Sequence, residues 1–331
     1  MGERTKRLLI GSGVLAAGVS AASLMTTKYM VDVALSRQEP VAANRLLKNQ
    51  LQRFAGDEQF LQQLEQQGQV LLHAPHETVS ITAADGEKLV GHWFACKDAK
   101  RVIVAMHGWR SSWNRDFGTI AAFWRKNGCS VLYPEQRGQG LSGGQYMGFG
   151  MMERHDCLAW AHWVNRRCGE QIPVYLAGVS MGASTVLMAS ELDLPGNVRG
   201  ILADCGFTSA DDIWRHVARN NLHISYRVRG NIADSLCKKR IHIGAKDCST
   251  IQALKNCRLP VLFAHGTEDH FVPVEMTYRN YGACSAPKRL LIVPGADHGM
   301  SYYMEKDRYE QMTLEFFRDF DGTGQPADLP Q

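Results

Sequence analysis

The chain has 331 residues, of which 45% are hydrophobic and 21% charged, and a formal net charge of +4. That length holds one large domain with a filled core plus an appendage, and that composition excludes global disorder. With so small a charge, scattered Lys and Arg, and no basic stripe or binding motif, nucleic acid is excluded as a partner.

In chain order, Arg4, Lys6 and Arg7 precede an almost uncharged run from Leu8 to Met25, and the next charge is Lys28. At about 1.5 Å per residue such a run, if helical, roughly crosses a bilayer's hydrocarbon core. Residues 1–37 are therefore expected to form a hydrophobic helix that anchors the chain in the membrane. The positive flank comes first, which orients a single-pass anchor with the rest of the chain outside the cytoplasm. Cleavage near Val19-Ser20-Ala21, giving a secreted protein, is the alternative, and an ordinary helix on a cytoplasmic protein is a third. The nine cysteines pull the other way: their number is odd, their spacing irregular, and no Cys-x-x-Cys occurs. They read as free thiols, a pattern of reducing compartments.

Residues 38–76 carry apolar side chains at helical spacing (Leu46, Leu47, Leu51, Phe54, then Phe60, Leu61, Leu64) and are expected to form a helical linker that packs as a collar. From 77 the pattern changes. Two alternating segments around Asp85-Gly86 predict a hairpin. Apolar strands follow at 102–106, 130–133, 174–177, 200–203, 261–264 and 290–293, with helices near 113–126, 151–168, 181–191, 273–283 and 302–319. This alternation predicts an α/β fold, with a mostly parallel sheet and helices on both faces. The catalytic domain is read as 77–321 and the tail as 322–331. The long stretch at 207–250, rich in Arg and aromatics, interrupts the rhythm and is expected to form a helical lid over the strand ends.

Three loops at the carboxyl ends of strands carry the chemistry. Gly178-Val179-Ser180-Met181-Gly182 follows the strand PVYLA and precedes a helical segment, the setting of a nucleophile on a sharp strand-to-helix turn. A serine hydroxyl needs a base, and His298 in Gly295-Ala296-Asp297-His298-Gly299 follows the last strand. Asp269, after the strand VLFAH, is the expected carboxylate, ahead of its neighbour Glu268 and of Asp297. The order Ser180, Asp269, His298 is one known arrangement of such a triad. The backbone N–H groups of Trp109 and Met181 are expected to form an oxyanion hole, and the two side chains to line the substrate pocket. His107 is read as structural. His265 and His270 lack a further ligand at usable spacing, so no metal is expected. Cys205, at a strand end, reads as a core thiol.

Taken together, His107-Gly108-Trp109, Arg137-Gly138-Gln139-Gly140-Leu141-Ser142, Gly178 to Gly182, the Asp269 loop and His298 resemble the α/β-hydrolase superfamily over residues 77–320. Within it, the chain resembles a bacterial membrane-anchored group with a short lid, related to serine-aminopeptidase-like and prolyl-oligopeptidase-like hydrolases. The resemblance implies an eight-stranded sheet, no metal or other cofactor, and esterase, lipase or peptidase activity. Glu135 departs from it, standing where many members carry Asp before the Arg-Gly-x-Gly turn. The expected function is hydrolysis of a small or lipid-like carboxylic ester through an acyl-enzyme. A serine peptidase and a noncatalytic membrane-tethered binding module remain the alternatives. Natural substrate and oligomeric state are not legible.

Overall fold

A computed structural model of the chain describes residues 22–38 and 58–322. Residues 22–35 are helical (α1). After α2 (Glu58–His73), the chain forms β1 (Glu77–Thr82), β2 (Lys88–Phe94), β3 (Arg101–Met106), α3 (Trp113–Lys126), β4 (Cys129–Pro134), α4 (Glu153–Cys168), β5 (Val174–Val179), α5 (Met181–Ala189) and β6 (Val198–Asp204). There follow α6 (Ala210–His216), a π-helical turn (Val217–Asn221), α7 (Arg229–Ile241), α8 (Thr250–Lys255), β7 (Val261–Gly266), α9 (Val274–Ala283), β8 (Lys288–Val293), α10 (Ser301–Met304) and α11 (Lys306–Phe320).

The strands make one 8-stranded sheet in the order β1-β2-β4-β3-β5-β6-β7-β8. β2 runs antiparallel to β1 and β4, and the remaining pairs are parallel. The chain starts the parallel region at β3, moves outward to β4, then crosses back to β5 on the other side. The loops after β3 and β5 therefore diverge, and a crevice opens between them at the strands' carboxyl ends. Ser180 and Trp109 both follow this switch.

Strands buried on both faces read as unbroken apolar runs, and β3 is one: every residue from Arg101 to Met106 is buried. Val102, Val104 and Met106 join a cluster with Trp160, Val164 and Leu187 on one face. Ile103 and Ala105 join Phe117, Trp124, Phe316 and Phe317 on the other. The helical collar expected near Phe60 is α2, which lies so close to α3 that a Cβ on Gly118 would sit 2.6 Å from the Gly68 nitrogen. The apolar positions at 46–54 fall outside the described residues.

One expectation needs correction. The C-terminal helix is broken at Glu305, whose backbone (φ −125, ψ 48) is not helical, and so divides into α10 and α11. At the other end, the helix at 22–35 exposes Leu24 and Met25 and packs on the fold through its second half. Val31, Ala34 and Leu35 are buried against Met181, Phe207 and Trp214 in a third apolar cluster. Among the described residues, no helix is long and apolar enough to cross a membrane; residues 8–21 of the apolar run lie outside them.

The Arg-Gly-x-Gly turn is held by charge. Arg137 is buried and meets Asp156 through two hydrogen bonds of 2.6 Å and Asp85 through one of 2.6 Å. Glu135, the departure from the superfamily pattern, uses its extra methylene to reach His92 of β2 at 2.8 Å while also accepting the Leu141 N–H. Gly140 has φ +51, and a Cβ there would lie 2.0 Å from the Glu135 carboxylate. Removing Arg137 would strand the Asp156 carboxylate in the interior, and breaking a buried pair in this way costs about 3–5 kcal/mol. Arg137→Ala should therefore lose about that much stability in urea denaturation; a loss below about 1 kcal/mol, the scale of an exposed pair, would contradict this account.

Candidate active site

Ser180 lies between β5 and α5 with φ 56 and ψ −117, a strained backbone for a residue with a side chain. The glycines on either side make that turn possible. A Cβ on Gly182 would fall 1.8 Å from the Met106 carbonyl oxygen, and one on Gly178 would fall 2.3 Å from Gly182. The turn is thus wedged against the end of β3, with the Ser180 N–H donating to the Asp204 carbonyl at 2.9 Å.

The three side chains separated in sequence meet here. The Ser180 hydroxyl lies 2.9 Å from Nε2 of His298, and Nδ1 of His298 lies 2.7 Å from Oδ2 of Asp269. Asp269 is fully engaged. Its Oδ1 accepts the N–H groups of Phe271 (2.9 Å) and Val272 (2.7 Å), while Oδ2 also accepts from Nε2 of His265 at 3.0 Å. His265 Nε2 faces a second acceptor, the Val272 carbonyl, so it must carry the proton, and its Nδ1 pairs with the Thr277 hydroxyl at 2.6 Å. His265 thus serves as a clamp on the acid. Glu268 is exposed and takes no part. Asp297 shapes the loop, accepting the N–H groups of His298 (2.7 Å) and His270 (3.0 Å).

Charge and burial oppose one another in this relay. Burial alone would raise the Asp269 carboxyl, but His298 and the hydrogen bond from His265 hold it well below the usual carboxylate range. Burial likewise works against a charged His298, yet the Asp269 carboxylate outweighs it and lifts the imidazole well above its ordinary value. The carboxylate therefore favours the charged form of His298.

The expected oxyanion donors belong to the two turns that follow β5 and β3. Met181 opens α5, where the first N–H groups have no intrahelical partner. In the β3–α3 turn the Gly108 N–H is already taken by Asp116 at 2.6 Å; among the described residues no acceptor is bound by the next N–H, that of Trp109. Asp116 also accepts from the Ser111 hydroxyl, which pins the turn, and Arg110 within it has φ 49. His107 lies beneath: Nε2 accepts the Gln136 N–H at 3.1 Å, so its proton is on Nδ1, which donates to the Gly108 carbonyl. Its burial lowers its affinity for a second proton. The Trp109 side chain lines a large apolar cavity. Met181 differs from expectation: its side chain is fully buried in the cluster between α5 and the lid and is not among the residues lining that cavity.

Several contributors were not legible. Asp116, His265 and Thr277 act through contacts that no motif announces, and Phe271 sets its ring edge-on to His298 at 5.2 Å. Cys205, read as an ordinary core thiol, follows β6 with φ 48 and lies beside the relay. Its sulfur and one ligand atom each from Asp269 and His298 lie within 4.8 Å of one another. Burial pushes that thiol up to about 11. Asp269 and His298 are already hydrogen-bonded to each other, so the trio reads as a relay with a neutral thiol alongside.

Residues 97–236 match the family model described as serine aminopeptidase, S33. The chain is 27% identical over 236 residues to YqkD of Bacillus subtilis (strain 168), covering 71% of this chain and 77% of that protein. It is 23% identical over 257 residues to YfhR of Escherichia coli (strain K12), covering 74% and 80%. Among solved structures, the Pyrococcus furiosus esterase Pf2001 superposes with TM-score 0.59 at 20% identity, covering 75% of this chain and 92% of that one. Est1E from Butyrivibrio proteoclasticus, with ferulic acid bound, superposes with TM-score 0.58 at 18% identity over 72% and 99%. The chain has the α/β-hydrolase fold, and the segment around the Ser180 turn is similar to the serine aminopeptidase, S33 family.

If His298 must be neutral to accept the Ser180 proton, reactivity at Ser180 should rise with pH. The direction of the His298 shift places the midpoint of that limb above the ordinary histidine value of about 6.5. Asp269→Asn removes the group that favours the imidazolium, so the limb should move to lower pH while kcat falls by about 10⁴. The check is the pH profile of phosphonylation by a fluorophosphonate, together with ester turnover. A wild-type midpoint at or below about 6.5 would contradict the electrostatics described here.

Proposed function

We propose that the protein is a serine hydrolase of carboxylic esters, with Ser180 as nucleophile, His298 as general base and acid, and Asp269 as the carboxylate orienting and charging the imidazole. One observation carries this reading: a continuous hydrogen-bonded path from the Ser180 hydroxyl through both nitrogens of His298 to Asp269, at 2.9 and 2.7 Å. In the first half-reaction Ser180 attacks the acyl carbon as His298 takes its proton, and the negative oxygen settles between the Trp109 and Met181 N–H groups. His298 then protonates the leaving alcohol. Water, deprotonated by the same nitrogen, attacks the acyl-enzyme and frees Ser180 and the acid.

The apolar cavity beside Trp109 favours an acyl group of hydrocarbon character over a charged peptide. The esterase name of the Pyrococcus furiosus neighbour agrees with it. A serine peptidase is the second reading, favoured by the family model matched over 97–236. The noncatalytic alternative finds little support in so complete a relay. The N-terminal apolar run at 8–25 keeps its reading as a single-pass anchor with the catalytic domain outside the cytoplasm, and membrane fractionation with protease protection tests that.

A fluorophosphonate should label the purified protein and Ser180→Ala should abolish the label; labelling that survives would eliminate Ser180 as nucleophile. Between the two enzymatic readings, p-nitrophenyl esters should be turned over with higher kcat/KM than aminoacyl anilides. Preference for the anilides would replace the esterase with the peptidase.

A further inference from the structure

The helix at residues 22–35 lies outside the segment matched by the family model, yet it is built into the site. Its final carbonyls have no partners within the helix, and groups of the oxyanion turn supply them. The Trp109 indole Nε1 donates to the Ala34 carbonyl at 2.9 Å, and the Arg110 guanidinium donates to the carbonyls of Val33 (2.8 Å) and Ser36 (2.7 Å). A cation there also complements the negative end of the helix dipole. Just beyond the helix, Arg37 donates to the carbonyls of Ser142 (2.5 Å) and Gly140 (2.6 Å), and the Met147 N–H donates to the Leu35 carbonyl at 2.7 Å. On the lid side, Asp32 pairs with Arg240 of α7.

Between this helix and the lid lies a cavity of about 350 Å³, within the range of small-molecule sites. One wall is α1 (Met30, Val33), the facing wall is α6 and the π turn (Ile213, Trp214), and Trp109 and Phe271 also line it. Those last two residues are the ones that tie it to the relay, Trp109 through the oxyanion turn and Phe271 through its ring against His298. The lining is predominantly hydrocarbon and aromatic, so the occupant it recognises is an apolar chain whose carboxyl end reaches Ser180.

We propose that α1 is one wall of the acyl-binding pocket, so that Met30 and Val33, outside the hydrolase core, set the length of acyl chain accepted. This rests on the ester reading above and extends it. Binding of a chain here removes apolar surface from water, a gain that acetate cannot collect. The consequence is a preference for medium acyl chains that belongs to this helix as much as to the lid.

The test uses the full chain. Across p-nitrophenyl esters from acetate to dodecanoate, kcat/KM should climb to a medium-chain optimum. Met30→Trp fills the cavity and should move the optimum to shorter chains, lowering kcat/KM for the decanoate ester at least tenfold while acetate changes less than threefold. Met30→Ala enlarges the cavity and should move the optimum to longer chains. Independently of turnover, decanoate should bind Ser180→Ala saturably, and Met30→Trp on that background should weaken it at least tenfold. A small fluorophosphonate separates the two levels of inference. If it labels Ser180 equally in the wild type, Met30→Trp and Met30→Ala, and both the chain-length profile and decanoate binding are unmoved, the pocket assignment is overturned and the nucleophile stands. If it labels no variant and not the wild type, the nucleophile falls, and decanoate binding then decides the pocket alone: binding sensitive to Met30 upholds it, and insensitive or absent binding overturns it.

Discussion

A single buried carboxylate ties the active region together. Asp269 takes four hydrogen bonds, two from backbone N–H groups of its own turn, one from His265 and one from His298. An ionised carboxylate in an apolar interior is tolerated only when its lone pairs are met in this way. The cost of leaving any of them unmet fixes the turn after β7, links it through His265 and Thr277 to α9, and aims His298 at Ser180. Loops that the sheet merely brings near one another become one arrangement because this charge needs all of them.

The strain at Ser180 is the second half of the same economy of space. A side-chain residue held at φ 56 persists only when its surroundings over-determine it. Here the surroundings are the carbonyl of Met106 pressed against Gly182, the β6 carbonyl accepting the Ser180 N–H, and a fully buried α5 behind. The consequence is a hydroxyl held at the carboxyl end of β5, where the sheet reverses its order, within 2.9 Å of Nε2 of His298. Ser180, Asp269 and His298 thus all stand on loops after strands of one sheet, an arrangement that suits the preorganised chemistry proposed for them.

The lid and α1 belong to a softer layer. They pack on each other and on the loops above the strands rather than on the sheet itself, in a cluster of Met, Phe and Trp with Val31 and Leu35. Methionine fills irregular space because its unbranched side chain adapts, and a π turn lies between α6 and α7.

What the sequence determined by itself is what repeats at short range. Apolar runs of strand length, helical spacing in 113–126 and 151–168, the Asp85-Gly86 hairpin and the glycine-flanked Ser180 turn are local patterns, and each element formed within a few residues of where the pattern placed it. The relay residues were legible as well, because each stands in a loop directly after a strand and a parallel sheet gathers such loops at one edge. What only the tertiary structure decided depends on distance between remote segments. The clamp of His265 on Asp269, the thiol of Cys205 beside His298 and the Asp116 bond to Gly108 need partners no spacing reveals. The role of residues 22–35 was hidden for a related reason. Hydropathy reports that Val31 and Leu35 avoid water, but it takes the packed fold to say whether lipid or protein receives them, and for this stretch the receiver is the roof of the active site.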